Sequence, residues 1–178
     1  MIAYIVLLIA LLSRLLPPLL HITAMNFTAV GGSLLFFGAR RPRWQSAVAV
    51  GAFMVTDYLL TVYAYHYPFH VSAYLATWVW YAGVCLFGHR ILQRVTVARV
   101  IAGVAGSATS FFLLSNFVVW MGKMYPHTAA GLGACYVAAL PFYRNDLVST
   151  GLVAGVLFGL PVLAARMVQG GARQETAT

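Results

Sequence analysis

Long apolar runs separated by short polar turns make up most of this chain. Several runs contain roughly 18 residues or more, the length that a helix needs to cross a hydrocarbon core of roughly 30 Å. The pattern predicts six membrane helices, at about residues 2–20, 27–39, 46–65, 71–92, 96–121 and 147–168. We expect residues 1–168 to form a single transmembrane domain and residues 169–178 to form a short polar cytoplasmic tail.

A further apolar run, residues 128–140, is short for a crossing and lies between Pro126 and Pro141. Broken backbone at membrane depth is tolerated only where protein or a water-filled cavity surrounds it. We therefore predict a partial or re-entrant helix here, and we place a binding site in the stretch from Ser115 to Asp146. The predicted fold class is an all-α integral membrane protein with six transmembrane helices plus this short helix.

Composition agrees with a membrane protein that has no soluble domain. The 178 residues are 62% hydrophobic and 8% charged, and the formal net charge is +8. Basic residues collect at the predicted helix ends, where membrane topology places them, so they leave no patch for nucleic acid. The first apolar run has no basic residue before it and no clear cleavage site after it, so we interpret it as a retained helix.

The distribution of Lys and Arg predicts the orientation. Most of them lie in two connections, between helices 2 and 3 and between helices 4 and 5, and around the last helix. They are Arg40, Arg41, Arg43, Arg90, Arg94, Arg99, Arg166 and Arg173. The opposite connections carry Lys123 and Arg144. The positive-inside rule then puts both termini in the cytoplasm if residues 128–140 return to the outer side. If that run crosses fully, the C-terminus moves outside.

Polar residues that are costly inside a membrane fall mostly on the outer side of this topology. Such residues, when several helices contribute them at one depth, predict an outward-facing cavity. The candidate substrate-binding residues are Arg14, Asn26, Thr28, Asp57, Asn116, Trp120, Tyr125, His127, Asn145 and Asp146. Plainer roles remain open, because Arg14 and Asp57 can form a structural ion pair, Asn116 can bond to another helix, and Asn26, Asn145 or Asp146 can cap helices.

Small residues recur at four-residue spacing in two predicted helices. One stripe is Ala98, Ala102 and Gly106, and the other is Gly151, Gly155 and Gly159. Such stripes let helix backbones approach closely. We interpret them as contacts within the bundle, and the alternative is that one of them docks another membrane subunit.

Several motifs extend over nearly the whole chain: NFTAVGG (26–32), Asp57 late in its helix, SNFVVW (115–120), YPHTAAGL (125–132), CYVAALPFYRN (135–145) and LFG (157–159). They resemble an uncharacterised bacterial family of small membrane proteins assigned to transport. That family is similar, more distantly, to the substrate-binding S-components of energy-coupling factor (ECF) vitamin transporters. The resemblance implies an S-component-like bundle in the bacterial inner membrane, with cytoplasmic termini and a ligand site that opens to the outer face.

Two features bear on this resemblance. S-components that dock a shared subunit usually show small residues along helix 1, whereas this chain has bulky residues between Ala3 and Ala10. In the cobalamin-binding relatives a cysteine thiolate ligates cobalt, and Cys135 is better placed for that role than Cys85. The plainer interpretation of Cys135 is a small core residue.

Enzymatic motifs are missing from the sequence, which has no HExxH, Walker or Ser–His–Asp pattern. His66 and His70 flank Pro68 in a turn and do not suit haem, so we expect no metal and no cofactor. The predicted function is a transport subunit that binds a small solute or vitamin. It requires a pocket lined by Arg14, Asp57, Asn116 and Asp146. The alternative, a structural accessory subunit of a larger complex, predicts that these groups are paired in a packed core.

Overall fold

A computed structural model describes residues 1–19 and 28–175, with side chains described up to residue 162 except at Leu16 and Leu19. These residues form six α-helices and no strand. The helices are α1 (Ile2–Leu19), α2 (Val30–Arg40), α3 (Ser46–Leu59), α4 (Val71–Ile91), α5 (Val97–Met121) and α6 (Ala129–Glu175). A 3-10 turn at Arg43–Gln45 precedes α3, and a π-helical turn at Leu60–Ala64 extends it. The fold class is all-α, as predicted.

Four helical segments of the described chain are long and apolar enough to cross a membrane: Arg43–Ala64, Val71–Ile91, Val97–Met121 and Ala129–Val162. The apolar part of α1, Ile2–Leu15, is shorter. Because α2 has only 11 residues, it extends about 16 Å, roughly half of a hydrocarbon core. The protein is therefore a membrane protein, and α2 has a different place in it from the long helices.

The short helix α2 lies at the centre of the bundle. All nine residues from Val30 to Gly38 are buried, and α2 packs mainly against α4 and α6 and also contacts α1, α3 and α5. Its approach to α4 is close at two glycines. A Cβ atom at Gly38 would overlap the backbone carbonyl of Cys85, and one at Gly88 would overlap the carbonyl of Leu35. The central position of α2 thus depends on a small residue at each of these contacts.

The predicted break at Pro141 does not occur, because α6 is continuous from Ala129 to Glu175 and contains both Pro141 and Pro161. A proline in a helix removes one backbone hydrogen bond, and membrane helices tolerate this where neighbouring groups compensate for it. The expected partial helix over 128–140 is therefore the first part of α6. The helix also extends seven residues into the expected polar tail, as far as Glu175.

The small-residue stripes make internal contacts at only some positions. Gly106 packs against the ring of Phe87, and Gly151 faces Val104. By contrast, Ala98, Ala102 and Gly155 are exposed. No described atom lies within 4 Å of a Cβ built at Gly155 or Gly159. The interpretation of both stripes as bundle contacts therefore holds at Gly106 and Gly151 and fails along the exposed face of α6.

Candidate functional site

The two charged residues predicted to meet, Arg14 and Asp57, form a salt bridge of 2.5 Å between Nη2 and Oδ1. The side chain of Asp57 is 1% exposed and that of Arg14 is 20% exposed. The indole Nε1 of Trp78 donates a hydrogen bond of 2.9 Å to the other carboxylate oxygen, Oδ2. Both oxygens of Asp57 thus have a donor, and its charge has a counter-ion, as a buried carboxylate requires.

The side chain of Arg14 extends from α1 toward aromatic rings of α3 and α4. Its guanidinium carbon is 5.7 Å from the ring centroid of Phe53 and 5.9 Å from that of Tyr81, within the range of cation–π attraction. One of its nitrogens, Nη1, has no hydrogen-bond partner among the described residues. Asn26 lies outside the described residues, and Thr28 is half-buried just before α2.

A π-helical turn follows Asp57 directly and positions the residues around it. The hydroxyl of Thr61 donates to the carbonyl of Asp57 over 2.7 Å and also pairs with the hydroxyl of Tyr74. The rings of Phe69, Tyr74 and Trp78 form one cluster, in which the centroid of Tyr74 is 5.0 Å from that of Phe69 and 6.1 Å from that of Trp78. These contacts orient the indole of Trp78 toward Asp57. Single π turns in α-helices often mark functional positions.

A second polar region lies between α5 and α6, which run antiparallel. Tyr136 donates to the carbonyl of Leu113 over 2.7 Å, and Tyr143 pairs with Thr109 over 2.9 Å. This register places Asp146 opposite the middle of α5. A cleft of about 270 Å³ runs along the pair, lined by Phe111, Phe112, Ser115, Asn116, Val119, Ala139, Phe142, Tyr143 and Asp146. It therefore extends from near the end of α5 to the middle of the bundle.

Asp146 lies at the inner end of this cleft and is 7% exposed. The hydroxyl of Thr150 is 3.5 Å from its Oδ1, at the limit of a hydrogen bond. Its Oδ2 has no hydrogen-bond partner among the described residues. Asn116 lines the same cleft, and its amide donates to the carbonyl of Phe112 over 2.8 Å. Asp146 is thus a buried carboxylate that lacks the partners which Asp57 has.

The interpretation of Asn145 and Asp146 as helix caps is wrong. Both lie inside α6, with Asp146 about 25 Å along the axis from Ala129. The cap belongs to Thr128, whose hydroxyl accepts from the backbone N–H of Gly131 over 3.1 Å. Asn145 is half-buried within the helix. Both residues face the inside of the molecule at membrane depth, instead of opening a helix at the membrane surface.

The polar groups of the α5–α6 turn bond within the turn. Trp120 donates from Nε1 to the carbonyl of Pro126 over 3.0 Å, and the Nε2 atom of His127 is 2.9 Å from the carbonyl of Gly122. The rings of Trp120 and His127 are 5.5 Å apart. His127 is exposed, and Tyr125 is half-buried. Trp120 and His127 therefore order the turn, and none of these three predicted site residues lines the cleft.

Apart from the residues at the α5–α6 turn, the structure separates the predicted site into two places. Arg14 and Asp57 join α1 and α3, whereas Asn116 and Asp146 line a cleft that includes neither of them. Trp78, Tyr143 and Thr150 were missed. A signal existed for Thr150, because it lies four residues after Asp146 and so shares its helix face. Nothing in the spacing of Trp78 indicates that it bonds to Asp57.

The described residues contain no group of three or more His, Cys, Asp or Glu side chains that could hold a metal ion. Cys135 is buried, and its thiol lies 3.4 Å from the carbonyl of Asn116. The arrangement supplies hydrogen-bonding and ionic groups inside a bundle of apolar helices. Groups of this kind can form hydrogen bonds and ionic contacts with a polar solute or an ion.

These features define an α-helical membrane protein with two buried acidic positions, one paired and one open to a cleft. The chain belongs to the family of unknown function DUF6580, which it matches over residues 1–172. No curated protein and no solved structure shows a significant match to the chain.

Proposed function

We propose that this protein is a membrane transport subunit that binds a small solute from the outer side, in the cleft between α5 and α6. The observation that carries the proposal is the course of the cleft, which leads from near the end of α5 to the buried Asp146. Ionisable groups inside membrane helices are costly and commonly mark the path of a substrate or ion. This role corresponds to that of an S-component and includes no chemical conversion of the solute.

The lining of the cleft defines the class of solute. Aromatic rings of Phe111, Phe112, Phe142 and Tyr143 form its walls, and Ser115 and Asn116 add hydrogen-bonding groups. The volume of about 270 Å³ is near the lower limit of the roughly 300–1,000 Å³ found for ligand pockets. We infer a small, planar solute with a polar edge, which stacks on the rings and bonds to the amide of Asn116.

The orientation that the proposal needs follows from the basic residues. The end of α2 lies beside the end of α4, because His89 is 3.3 Å from the carbonyl of Gly38. Arg40, Arg41, Arg90 and Arg94 are thus on one side of the bundle. The positive-inside rule places that side in the cytoplasm of a bacterial inner membrane, together with both termini, and the α5–α6 turn then faces outward. The cleft therefore opens toward the outer side.

A second candidate function, an accessory subunit of a larger membrane complex, is favoured by one face of α6. Arg144 is exposed on α6 opposite the middle of α5, and Gly155 is exposed on the same side of the helix. An arginine that faces lipid at this depth costs at least about 2.5 kcal/mol. A neighbouring subunit with an acidic side chain would remove this cost. The paired state of Arg14 and Asp57 also agrees with this alternative.

Native mass spectrometry of the protein in mild detergent tests the first candidate. Two neighbouring alanines give a matched pair, because Ala139 is buried and lines the cleft whereas Ala138 is exposed. We expect a stoichiometric non-lipid adduct on the unmodified protein and on Ala138→Phe, and its loss in Ala139→Phe and in Asn116→Ala. If all four proteins carry only lipid, or if the adduct survives in both cleft variants, the cleft is not the solute site.

Stoichiometric co-purification of another membrane protein, lost in Arg144→Ala, would support the accessory role.

A further inference from the structure

A group of buried oxygen atoms lies beneath the solute cleft, where α2, α5 and α6 meet. It consists of the carboxylate of Asp146 and the hydroxyls of Ser107 and Thr150. Ser107 is 1% exposed and Thr150 is fully buried. Asp146 and Thr150 lie one turn apart on α6, and Ser107 projects from α5. Two helices thus contribute oxygen atoms to one group at the middle of the membrane.

The hydrogen bonds of this group are incomplete. Neither Ser107 Oγ nor Asp146 Oδ2 has a partner among the described residues. The contact between Thr150 and Asp146 Oδ1 is 3.5 Å long and therefore weak. Buried polar atoms in native proteins nearly always have partners, so two unpartnered oxygens, one near the hydroxyl of Thr150 and one on its partner Asp146, need an explanation such as a bound ion.

The charge of Asp146 is not balanced by the described protein either. The basic residue at comparable depth in the bundle, Arg14, is already paired with Asp57. Arg144 is two residues from Asp146 on the same helix, but its side chain is exposed. Side chains two positions apart project from different sides of a helix. A buried carboxylate without a counter-charge is strongly unfavourable, so a cation at Asp146 would remove a large cost.

Gly31 allows the two hydroxyls to approach each other. A Cβ atom at this position would lie 2.5 Å from Thr150 Oγ1 and 3.2 Å from Ser107 Oγ. Both hydroxyl oxygens therefore lie close to the backbone of α2 at this one residue. Any larger residue would displace the hydroxyl of Thr150, so the glycine brings oxygens from two other helices together.

We propose that Asp146, Ser107 and Thr150 form a binding site for a sodium ion. Small hard cations prefer carboxylate and hydroxyl oxygens, and a single carboxylate balances a single positive charge. A proton on Asp146 would also remove its charge, but it would leave Ser107 without a partner. The ion site shares Asp146 with the inner end of the cleft, and binding of the ion does not depend on the cleft binding a solute.

Thermal unfolding of the purified protein in detergent, without added solute, tests this site. The midpoint is measured in NaCl, KCl and choline chloride at equal ionic strength and constant pH. A ligand that binds only the folded state raises the midpoint in a saturable manner. We expect Na⁺ well above its Kd to raise the midpoint by about 5 °C relative to choline, with a smaller rise in K⁺.

Variants locate the effect. Asp146→Asn and Ser107→Ala should abolish most of the difference between NaCl and choline chloride, and Gly31→Ala should do the same by displacing the hydroxyl of Thr150. Gly32→Ala is the matched control, because its Cβ would meet Val153 instead. Asp57→Asn is the second control, because that carboxylate already has partners. Both controls should lower the midpoint in every salt and keep the sodium-dependent difference.

Equal midpoints in NaCl and choline chloride would overturn the proposal, as would an equal rise in KCl. So would a sodium-dependent difference that persists in both Asp146→Asn and Ser107→Ala. A midpoint that responds to pH but not to Na⁺ would assign Asp146 a proton instead. None of these results bears on the solute adduct, because that adduct is measured by mass and is tested with Ala139→Phe and Asn116→Ala.

Discussion

The two buried carboxylates of this protein have opposite environments. Asp57 receives a salt bridge from Arg14 and a hydrogen bond from Trp78, so both of its oxygens are occupied. Asp146 has one weak contact with a hydroxyl and a second oxygen without a described partner. A buried carboxylate that has a counter-ion and complete hydrogen bonds can serve the structure alone. A buried carboxylate without them can bind a ligand or an ion. This contrast is the basis for proposing a structural role for Asp57 and a binding role for Asp146.

The Arg14–Asp57 pair should act as a structural unit. Arg14→Leu leaves the carboxylate of Asp57 buried without a counter-ion, and we expect the free energy of unfolding to fall by about 3 kcal/mol. Arg14→Leu combined with Asp57→Asn removes both charges and should recover most of this loss. Unfolding in detergent, followed by circular dichroism, measures the cycle. A double variant whose loss equals the sum of the losses in Arg14→Leu and in Asp57→Asn alone would show that the two residues are not coupled.

Trp78 and Trp80 provide a matched comparison of two indole hydrogen bonds. Each Nε1 donates over 2.9 Å, Trp78 to the carboxylate of Asp57 and Trp80 to the hydroxyl of Ser110. Bonds to charged groups contribute roughly 1.5–3 kcal/mol and neutral ones roughly 0.5–1.5 kcal/mol. Replacement of either residue by Phe removes a similar ring area. We therefore expect Trp78→Phe to lower the free energy of unfolding by about 1 kcal/mol more than Trp80→Phe, and equal losses would contradict the assignment.

At the scale of the helices, the sequence predicted most boundaries but misjudged the last helix. Predicted helices at 71–92 and 96–121 correspond to α4 and α5 within a residue at each end. Their ends are marked by Pro68 and by the Arg-rich turn before α5, which are local signals. Pro141 gives the same local signal, yet α6 continues through it. Packing against α5 overrides the proline there, and a single sequence does not reveal that packing.

The burial of α2 was equally hidden from the sequence. A run of about 12 apolar residues reads as a short span, and only the structure shows that neighbours surround it on all sides. Gly38→Ala should test this position, since the added methyl would overlap the backbone of Cys85 in α4. We expect a loss of about 1–3 kcal/mol in the free energy of unfolding.

Gly83 is the control for this substitution, because no described atom lies within 4 Å of a Cβ built there. Gly83→Ala should leave stability unchanged or raise it by roughly 0.5–1 kcal/mol through the better helix propensity of alanine. Both variants are compared by thermal unfolding in the same detergent. A Gly38→Ala protein as stable as Gly83→Ala would mean that α2 and α4 are not in close contact.

At the scale of the whole molecule, the sequence predicted which polar residues lie within the helices. It did not predict which of these residues lie close together in the bundle. The pairing of Arg14 with Asp57 followed from opposite charges at one predicted depth. The position of Asp146 did not, because its depth depends on whether α6 begins at Ala129 or after Pro141. Because α6 is continuous, Asp146 lies in the middle of the bundle and not at the membrane surface, where the prediction placed it. One helix boundary thus changes a proposed cap into a proposed binding residue.

The same boundary makes the orientation of the bundle testable. Met124, in the α5–α6 turn, and Gln93, in the α4–α5 turn, are both exposed and lie at opposite ends of α5. We expect a membrane-impermeant thiol reagent to label Met124→Cys and not Gln93→Cys on intact bacterial cells, because the arginine-rich turns should be cytoplasmic. The native Cys85 and Cys135 are buried, so the unmodified chain should give little background. Both variants should react after lysis. If only Gln93→Cys were labelled on intact cells, the open end of the cleft would face the cytoplasm. Solute capture from the outer side would then be wrong, even if the cleft binds a solute.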